Sequence, residues 1–172
     1  SQYLPTFNSN VIDLNLVNIP GLTDRFVYFN DDMFLNKTVS PNDFFDATGK
    51  PRDFLSFNAI MPNSVFEHTY VNNLAILNNR FSKRKVIKQQ FTKIFNLRNG
   101  KWNLLNLATL PFPMFTRFVD PHTPISYCKD RILKEMDEFP QIVATTSPNQ
   151  LRATSDYSLW FFRYYDLLTQ YY

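Results

Sequence analysis

Two adjacent carboxylates, Asp31 and Asp32, directly follow the apolar run of residues 25–30 in this 172-residue sequence. The run is rich in β-branched and aromatic residues, which predicts a buried strand. Ligands of open α/β sheets collect at the carboxyl ends of strands. Neighbouring carboxylates repel each other, and a divalent cation such as Mg²⁺ or Mn²⁺, which prefers oxygen ligands, relieves that repulsion. The alternative is that the two aspartates cap the next turn.

His122 is the second candidate for chemistry. It lies between Pro121 and Pro124, which restrict the backbone and hold the imidazole in one direction. Histidine titrates near neutrality, so this side chain suits proton transfer or a phosphate contact. The alternative is a loop histidine bonded to a carbonyl group. The other histidine, His68, falls in a predicted helix among apolar neighbours, and we expect it to be structural.

Arg152 precedes Asp156 by one helical turn, just ahead of the last predicted helix. The planar guanidinium of arginine suits bidentate recognition of phosphate. The alternative is an ion pair between Arg152 and Asp156 or another surface carboxylate.

The composition excludes several classes of site. With only three glycines, no glycine-rich phosphate loop can be written, so a bound nucleotide would be held by a metal, arginine or histidine. The single cysteine, Cys128, excludes an internal disulfide and a multi-cysteine zinc site, and it fits a reducing compartment. No stretch approaches 18 uninterrupted apolar residues, the approximate length needed for a transmembrane helix.

Basic residues are concentrated in residues 80–101, which carry eight of the 18 lysines and arginines and no acidic residue. Three interpretations are open: a solvated face, a segment lying on anionic lipid, or a contact with a negatively charged polymer such as a glycan. No nucleic-acid-binding motif accompanies the stretch, so we expect no nucleic-acid partner.

The elements that must position these residues are predicted from periodicity and capping signals. Residues 25–30 predict a strand. In the helix predicted over residues 126–139, Arg131 and Glu135 lie one turn apart on the outer face. Helices are predicted over residues 9–18, with Ser9 or Asn10 as the cap, and over residues 64–79, 126–139 and 157–170. The expected fold is α/β, with a mainly parallel sheet flanked by helices and a helical excursion over residues 80–115.

Several motifs, taken in order, resemble the second conserved region of the Stealth family. They are Leu4-Pro-Thr-Phe-Asn-Ser-Asn10, Asp13, Ile19-Pro-Gly-Leu22 and Phe26-Val-Tyr-Phe-Asn-Asp-Asp-Met-Phe34. A later set is similar to the third conserved region. It comprises Asp120-Pro-His122, Phe139-Pro140, Thr145 or Thr146, Leu151-Arg152 and Asp156. Together the matches extend over residues 3–170 in the family's order.

The Stealth family comprises microbial capsular and exopolysaccharide sugar-phosphotransferases and the animal N-acetylglucosamine-1-phosphotransferase. The resemblance implies transfer of a hexose 1-phosphate from a UDP-sugar donor to a hydroxyl of a glycan acceptor. Such a reaction forms a phosphodiester and releases UMP. We expect a cytoplasmic protein, and the basic residues 80–101 leave peripheral contact with the inner face of the plasma membrane as an open option.

The resemblance implies which residues form the site, from their positions in the matched motifs. Asp31 and Asp32 match the paired aspartates expected to hold Mg²⁺ or Mn²⁺, and together with His122 they form the expected catalytic group. The expected substrate-binding residues are Arg152, Asp13, Ser9 and Asp156. Asp13 stands where family members commonly carry glutamate, and Leu151 stands in place of a phenylalanine.

The resemblance also divides the sequence. Residues 3–79 correspond to the second conserved region, residues 80–115 to a basic helical insertion, and residues 116–170 to the third conserved region. The 172 residues are therefore expected to be the central part of a catalytic domain, an incomplete fragment without the first and fourth regions.

Two other functions remain open from the sequence. One is a non-catalytic module that binds anionic glycan or a membrane through the basic stretch, with structural carboxylates. The other is a conventional glycosyltransferase, which shares paired aspartates but releases UDP instead of UMP.

Overall fold

The computed structural model describes residues 3–172, and helices dominate that range. In chain order the elements are α1 (Ser9–Leu14), β1 (Arg25–Tyr28), α2 (Pro41–Phe44), α3 (Glu67–Arg80), α4 (Lys83–Gln89), α5 (Phe91–Ile94), α6 (Trp102–Thr109), β2 (Ile125–Cys128), α7 (Lys129–Glu138), α8 (Pro140–Thr146) and α9 (Trp160–Thr169). Two 3₁₀ helices, Leu16–Asn18 and Leu97–Asn99, lie between them.

The sheet of the described residues has two antiparallel strands, so the prediction of a mainly parallel sheet is wrong. Arg25 lies opposite Cys128 and Tyr28 opposite Ile125. Residues 126–128 were expected to begin a helix. The run from Ile125 to Cys128 is β-branched and aromatic at alternate positions, and pairing with β1 favours the extended form.

Helix α7 begins only at Lys129, because Asp24 satisfies its first backbone donors. The Lys129 N–H donates to the Asp24 carbonyl oxygen at 2.6 Å, and the Asp130 N–H donates to the Asp24 carboxylate at 3.0 Å. A residue just before β1 thus fixes where β2 ends. This signal is distant in the sequence, so a local pattern does not reveal it.

The core is built around α9, in which every residue from Phe161 to Leu168 is buried. Its aromatic rings pack against other elements: the centroids of Phe161 and Phe139 are 5.0 Å apart, and those of Tyr164 and Phe118 are 4.7 Å apart. The sequence predicted an aromatic helix over residues 157–170, and the helix is confirmed, although it begins three residues later.

A buried guanidinium in α9 joins two distant segments. Arg163 donates to both carboxylate oxygens of Asp53, at 2.6 and 2.8 Å, and to Asp120 at 3.0 Å. The Tyr164 hydroxyl also donates to Asp120, at 2.6 Å. Burial disfavours the charged guanidinium, but the two carboxylates outweigh it and raise the pKa of Arg163. The chain just before His122 is therefore fixed to the core.

Two local predictions need correction. Helix α1 is capped by Asn8, whose side-chain oxygen accepts from the Asn10 N–H at 3.1 Å, and not by Ser9 or Asn10. Glu135 does not lie on an outer face: it is 2% exposed and pairs with Arg131 at 2.8 Å. Burial, followed by the nearby carboxylate of Asp166, raises the pKa of Glu135, and the guanidinium of Arg131 opposes the shift.

The basic stretch, residues 80–101, begins at the last residue of α3, folds as α4, α5 and the 3₁₀ helix Leu97–Asn99, and ends just before α6. One of its lysines, Lys83, is buried, and its ammonium group donates to the carbonyl oxygens of Thr109 and Phe112 at 2.6 and 3.0 Å. These carbonyl oxygens belong to the end of α6 and the turn after it, where a cation is favourable.

Within residues 3–172, none of the helices combines the length and the apolar character needed to cross a bilayer.

The packing predicts that alanine substitutions at two leucines have very different effects on the free energy of unfolding. Leu77 is fully buried against the core, and Leu97 is 96% exposed. We expect Leu77→Ala to lower the free energy of unfolding by about 2–5 kcal/mol, because it removes buried methyl groups and leaves a cavity. We expect Leu97→Ala to change it by less than about 0.5 kcal/mol. Urea unfolding followed by circular dichroism measures both, and equal losses would contradict the assignment of the core.

Candidate active site

Asp32 and His122 are in contact although they lie 90 residues apart: the imidazole Nε2 is 2.9 Å from the carboxylate Oδ2. Asp32 follows the end of β1 and His122 precedes the start of β2. In an antiparallel pair the end of one strand lies beside the start of the other, so both loops leave the same end of the sheet. The predicted residues thus come together by antiparallel pairing, and not at the carboxyl edge of a parallel sheet.

The contact sets the proton arrangement of the imidazole. An ionised carboxylate only accepts hydrogen bonds, so Nε2 of His122 carries the proton that it shares with Asp32. In the neutral ring this leaves Nδ1 with a free lone pair, which can accept a proton from a neighbouring hydroxyl. Both side chains are more than half exposed, so a substrate can reach them.

Asp31 lies beside the same contact, with its side chain exposed. Its charge is felt by Tyr28 in β1: burial first, then Asp13, then Asp31 raise the pKa of the Tyr28 phenol. Among the described residues, no three histidine, cysteine, aspartate or glutamate side chains are grouped closely enough to hold a metal. Protein-bound Mg²⁺ usually has one or two carboxylates, with the remaining ligands supplied by substrate phosphates and water. The exposed carboxylates of Asp31 and Asp32 fit that mode.

A second group lies where α1 meets the chain before α9. The guanidinium of Arg152 donates to the Ser9 hydroxyl oxygen from Nη2 at 2.9 Å and from Nε at 3.3 Å. The alternative of an ion pair with Asp156 is wrong, since no such pair exists in the described part of the chain. The bond to Ser9 holds the exposed guanidinium in one orientation and leaves Nη1 available for a ligand.

Asp13 connects the two groups. Its carboxylate accepts from the Tyr28 hydroxyl at 3.1 Å, and Arg152 is near enough for its charge to act on the acid. Burial raises the pKa of Asp13 to about 6, although the Tyr28 hydrogen bond and Arg152 both oppose the shift. Hydrogen bonds thus join Arg152 to Ser9 and Tyr28 to Asp13, and the charges of Arg152 and Asp31 act on the second pair.

Sequence reasoning missed Tyr28. The signal available was a phenol, which carries a polar hydroxyl, at the last position of a strand that leads to paired aspartates. A lone tyrosine in a strand is usually packing material, and the partner that gives it a role, Asp13, lies on another element.

Asp156 is fully buried, so all its contacts are with the protein. Its carboxylate accepts from Asn8, Asn149 and the Ala153 N–H at 2.7, 2.7 and 2.9 Å, and from Asn10 at 3.3 Å. Asn8 and Asn10 flank Ser9 in the sequence, and Ala153 follows Arg152. Asp156, expected to bind substrate, therefore lies where it positions the Ser9–Arg152 pair.

His68 lies in α3, as predicted, but its side chain is exposed and not packed in the core.

Comparisons with known proteins identify the family. Residues 1–53 match the model of Stealth protein conserved region 2. The chain is 47% identical to the exopolysaccharide phosphotransferase cps2G of Lactiplantibacillus plantarum, over 96% of this chain and 49% of that protein. The chain belongs to the Stealth family. The matched region 1–53 contains Ser9, Asp13, Tyr28 and the paired aspartates.

Other Stealth relatives are more distant. The capsular polysaccharide phosphotransferase WcwK of Streptococcus pneumoniae is 38% identical, over 96% of this chain and 50% of that protein. The receptor polysaccharide phosphotransferase WefC of Streptococcus gordonii is 30% identical, over 97% of this chain and 50% of that protein. The chain spans about half the length of the curated relatives it matches.

The raised pKa of Asp13 predicts a pH-dependent stability. The folded-state pKa of Asp13, about 6, lies above the ordinary value of 3.8, so folding favours the protonated acid. The contribution of the Asp13 carboxyl to the free energy of unfolding is greatest below about pH 4 and is lost as the pH rises through about 6. Asp13→Asn removes this titration. The melting temperature of the variant, relative to that of wild type, should therefore increase between pH 4 and pH 7.

Tyr28→Phe provides the matched test of the same site. It removes the hydrogen bond that opposes the shift, so the pKa of the Asp13 carboxyl should rise further. Carboxyl ¹³C chemical shifts during a pH titration follow this directly. An Asp13 midpoint near 4 in both proteins would contradict the burial of this carboxyl.

The contacts of Asp156 predict that removal of its carboxylate destabilises the protein. Asp156→Ala removes the carboxylate that accepts hydrogen bonds from Asn8, Asn149 and the Ala153 N–H, which should lower the free energy of unfolding by about 2–4 kcal/mol. Asp137→Ala, at an exposed position of α7, is the control and should stay close to wild type. Urea unfolding decides between them, and a stable Asp156→Ala protein would show that the carboxylate does not hold these segments.

Proposed function

We propose that the full-length protein transfers a hexose 1-phosphate from a UDP-sugar to a hydroxyl of a glycan, in capsular or exopolysaccharide synthesis. The products are a sugar phosphodiester and UMP. The observation that carries the proposal is the 2.9 Å contact between Asp32 and His122, with Asp31 directly before Asp32 in the sequence. The relatives named as polysaccharide phosphotransferases support the same reaction class.

His122 acts on the acceptor in this proposal. As the acceptor hydroxyl attacks, its proton passes to Nδ1 of His122, while Asp32 holds the ring and stabilises the imidazolium that forms. General base catalysis of this kind typically contributes about 10²–10⁴-fold to a rate. The geometry suits it, because Nε2 is already engaged by Asp32 and the side chain is exposed.

The bond changes balance around one phosphorus atom. The acceptor oxygen bonds to the β-phosphorus, which carries the sugar, and the bond from that phosphorus to the bridging oxygen breaks. UMP leaves with the electron pair, and as a phosphate it needs no proton to depart. Phosphoryl transfer depends mainly on positioning and charge neutralisation. Arg152, oriented by Ser9, supplies a guanidinium that can contact two phosphate oxygens.

Asp31 and Asp32 would hold a Mg²⁺ or Mn²⁺ ion, using Asp31 and the Asp32 oxygen that His122 leaves free. When bound, such an ion neutralises the diphosphate charge. Asp13, ionised above about pH 6, accepts a hydrogen bond from a hydroxyl of the donor. Its placement beside Tyr28 and Arg152 suits that role.

The two histidines provide a matched test in the full-length protein. We expect Asp32→Ala and His122→Ala to reduce UMP release by about 100-fold or more, because each removes half of the proton-transfer pair. Their melting temperatures should stay near wild type, since both side chains are exposed. His68→Ala, also at an exposed position, should keep full activity.

The assay supplies UDP-sugars, an oligosaccharide acceptor and Mg²⁺, and it identifies the nucleotide released. UDP instead of UMP would contradict sugar-phosphate transfer and favour a conventional glycosyltransferase. Near-normal UMP release by the Asp32→Ala or His122→Ala protein would contradict the assigned roles. Wild-type protein that binds anionic glycan but releases no nucleotide would favour the non-catalytic module.

A further inference from the structure

Helix α6 is inverted with respect to an ordinary surface helix. Surface helices bury apolar residues and expose polar ones. In α6 the polar residues Asn106 and Thr109 are buried, whereas Leu104 and Leu107 are 71% and 54% exposed. Residues three apart share a face, so the two leucines form an outward apolar stripe.

Hydrogen bonds from the interior fix this orientation. The Asn106 amide donates to the Ile94 carbonyl oxygen at 2.8 Å and to the Ser56 hydroxyl oxygen at 3.2 Å, and its oxygen accepts from the Phe57 N–H at 2.7 Å. Lys83 binds the Thr109 carbonyl oxygen at the end of the helix. Rotating α6 to bury its leucines would leave these buried polar groups unpaired, which is costly. The apolar stripe is therefore a fixed feature of the fold.

We call this stripe, together with the exposed apolar residues that precede and follow it in the sequence, the α6 surface. Further large side chains on the flanks of the helix are also exposed, at 41–96% of their area. The α6 surface comprises Leu97, Leu104, Leu107, Leu110, Phe112 and Met114. Exposed apolar areas of this kind mark interaction sites.

The chain segment that contains the α6 surface is basic. Residues 68–119 contain nine lysines and arginines and no aspartate or glutamate. Arg98 and Lys101 are exposed beside the apolar side chains, and the Lys101 ammonium lies 4.9 Å from the ring centroid of Trp102, which is itself partly exposed. Leucine and phenylalanine beside tryptophan and basic groups are typical of helices that lie in a lipid interface.

We propose that the α6 surface docks on a membrane containing anionic lipids. The leucines and Phe112 enter the boundary between headgroups and acyl chains, and Arg98 and Lys101 contact the headgroup phosphates. Of the basic stretch 80–101, only Leu97, Arg98 and Lys101 belong to this docking region; its apolar part lies further along the chain.

The docking surface is rigidly connected to the loop that carries His122. Ser56 and Phe57, which hold Asn106, pair with the chain at Phe118 and Val119: Phe57 bridges Phe118, and the Val119 N–H donates to the Ser56 carbonyl oxygen at 2.9 Å. His122 follows directly in the sequence. Docking would therefore hold this loop at a fixed distance from the bilayer.

The test is sedimentation of the full-length protein with vesicles. Wild type should bind vesicles of mixed phosphatidylglycerol and phosphatidylcholine, and bind pure phosphatidylcholine vesicles much more weakly. The double variant Leu104→Asn, Leu107→Asn should bind the anionic vesicles about tenfold less tightly or worse, because it removes the inserted side chains. Arg98→Gln, Lys101→Gln should weaken binding and reduce its salt dependence. Hydrogen exchange of residues 97–114 should slow when vesicles are present.

The matched control is Val71→Asn, Leu133→Asn, which places the same residue type at exposed positions of α3 and α7. It should bind like wild type. Wild type that fails to sediment with anionic vesicles, or a Leu104→Asn, Leu107→Asn protein that sediments equally well, would overturn the proposal. If wild type does not bind vesicles, two other results would identify what covers the surface. Lower thermal stability of the leucine variant would indicate another part of the protein, and a change from dimer to monomer would indicate a second copy. Vesicle binding is independent of UMP release, so this test can fail without affecting the proposed reaction.

Discussion

The guanidinium of Arg163, held between Asp53 and Asp120, is the interaction on which the rest of the structure depends. A buried charge is tolerated only when it is paired and hydrogen-bonded, and removing one partner of such a pair leaves an uncompensated charge in the core. Here the partners belong to segments far apart in the sequence, and the cation comes from the central helix α9. Asp120 is followed by Pro121 and His122, so the same clamp that joins the core also sets the starting point of the loop that reaches Asp32.

The candidate site was predicted better than the fold that builds it. The sequence named Asp31, Asp32, His122, Arg152 and Ser9, and the structure brings Asp32 to His122 and Arg152 to Ser9. Residue type and motif order carry such information, because only a few side chains suit phosphate and proton chemistry. The sheet was expected to be parallel, because a short apolar run before two aspartates looks the same in either topology. Strand direction depends on the partner, and the partner, β2, was taken for the start of a helix.

The remaining differences have a common physical reason, which is that long-range hydrogen bonds decide what a local pattern leaves open. The sequence alone did not show that the Asp156 carboxylate is buried and accepts a hydrogen bond from Asn8, at the other end of the chain. In α6, Asn106 and its three hydrogen bonds turn the leucines outward. Tyr28 gains its role only from Asp13 on the neighbouring helix. No window of neighbouring residues contains these partners.

The depth of the Arg163 clamp has a consequence for how the protein responds to its ionic surroundings. Mobile ions screen exposed charges within about 10 Å at ordinary ionic strength, but they do not enter a packed interior. Exposed Arg98 and Lys101 therefore feel the surrounding electrolyte, whereas the guanidinium, with 2% of its side chain exposed, does not. A change in salt concentration would therefore alter the interactions of these exposed basic residues, while the buried ion pairs of Arg163 keep their geometry.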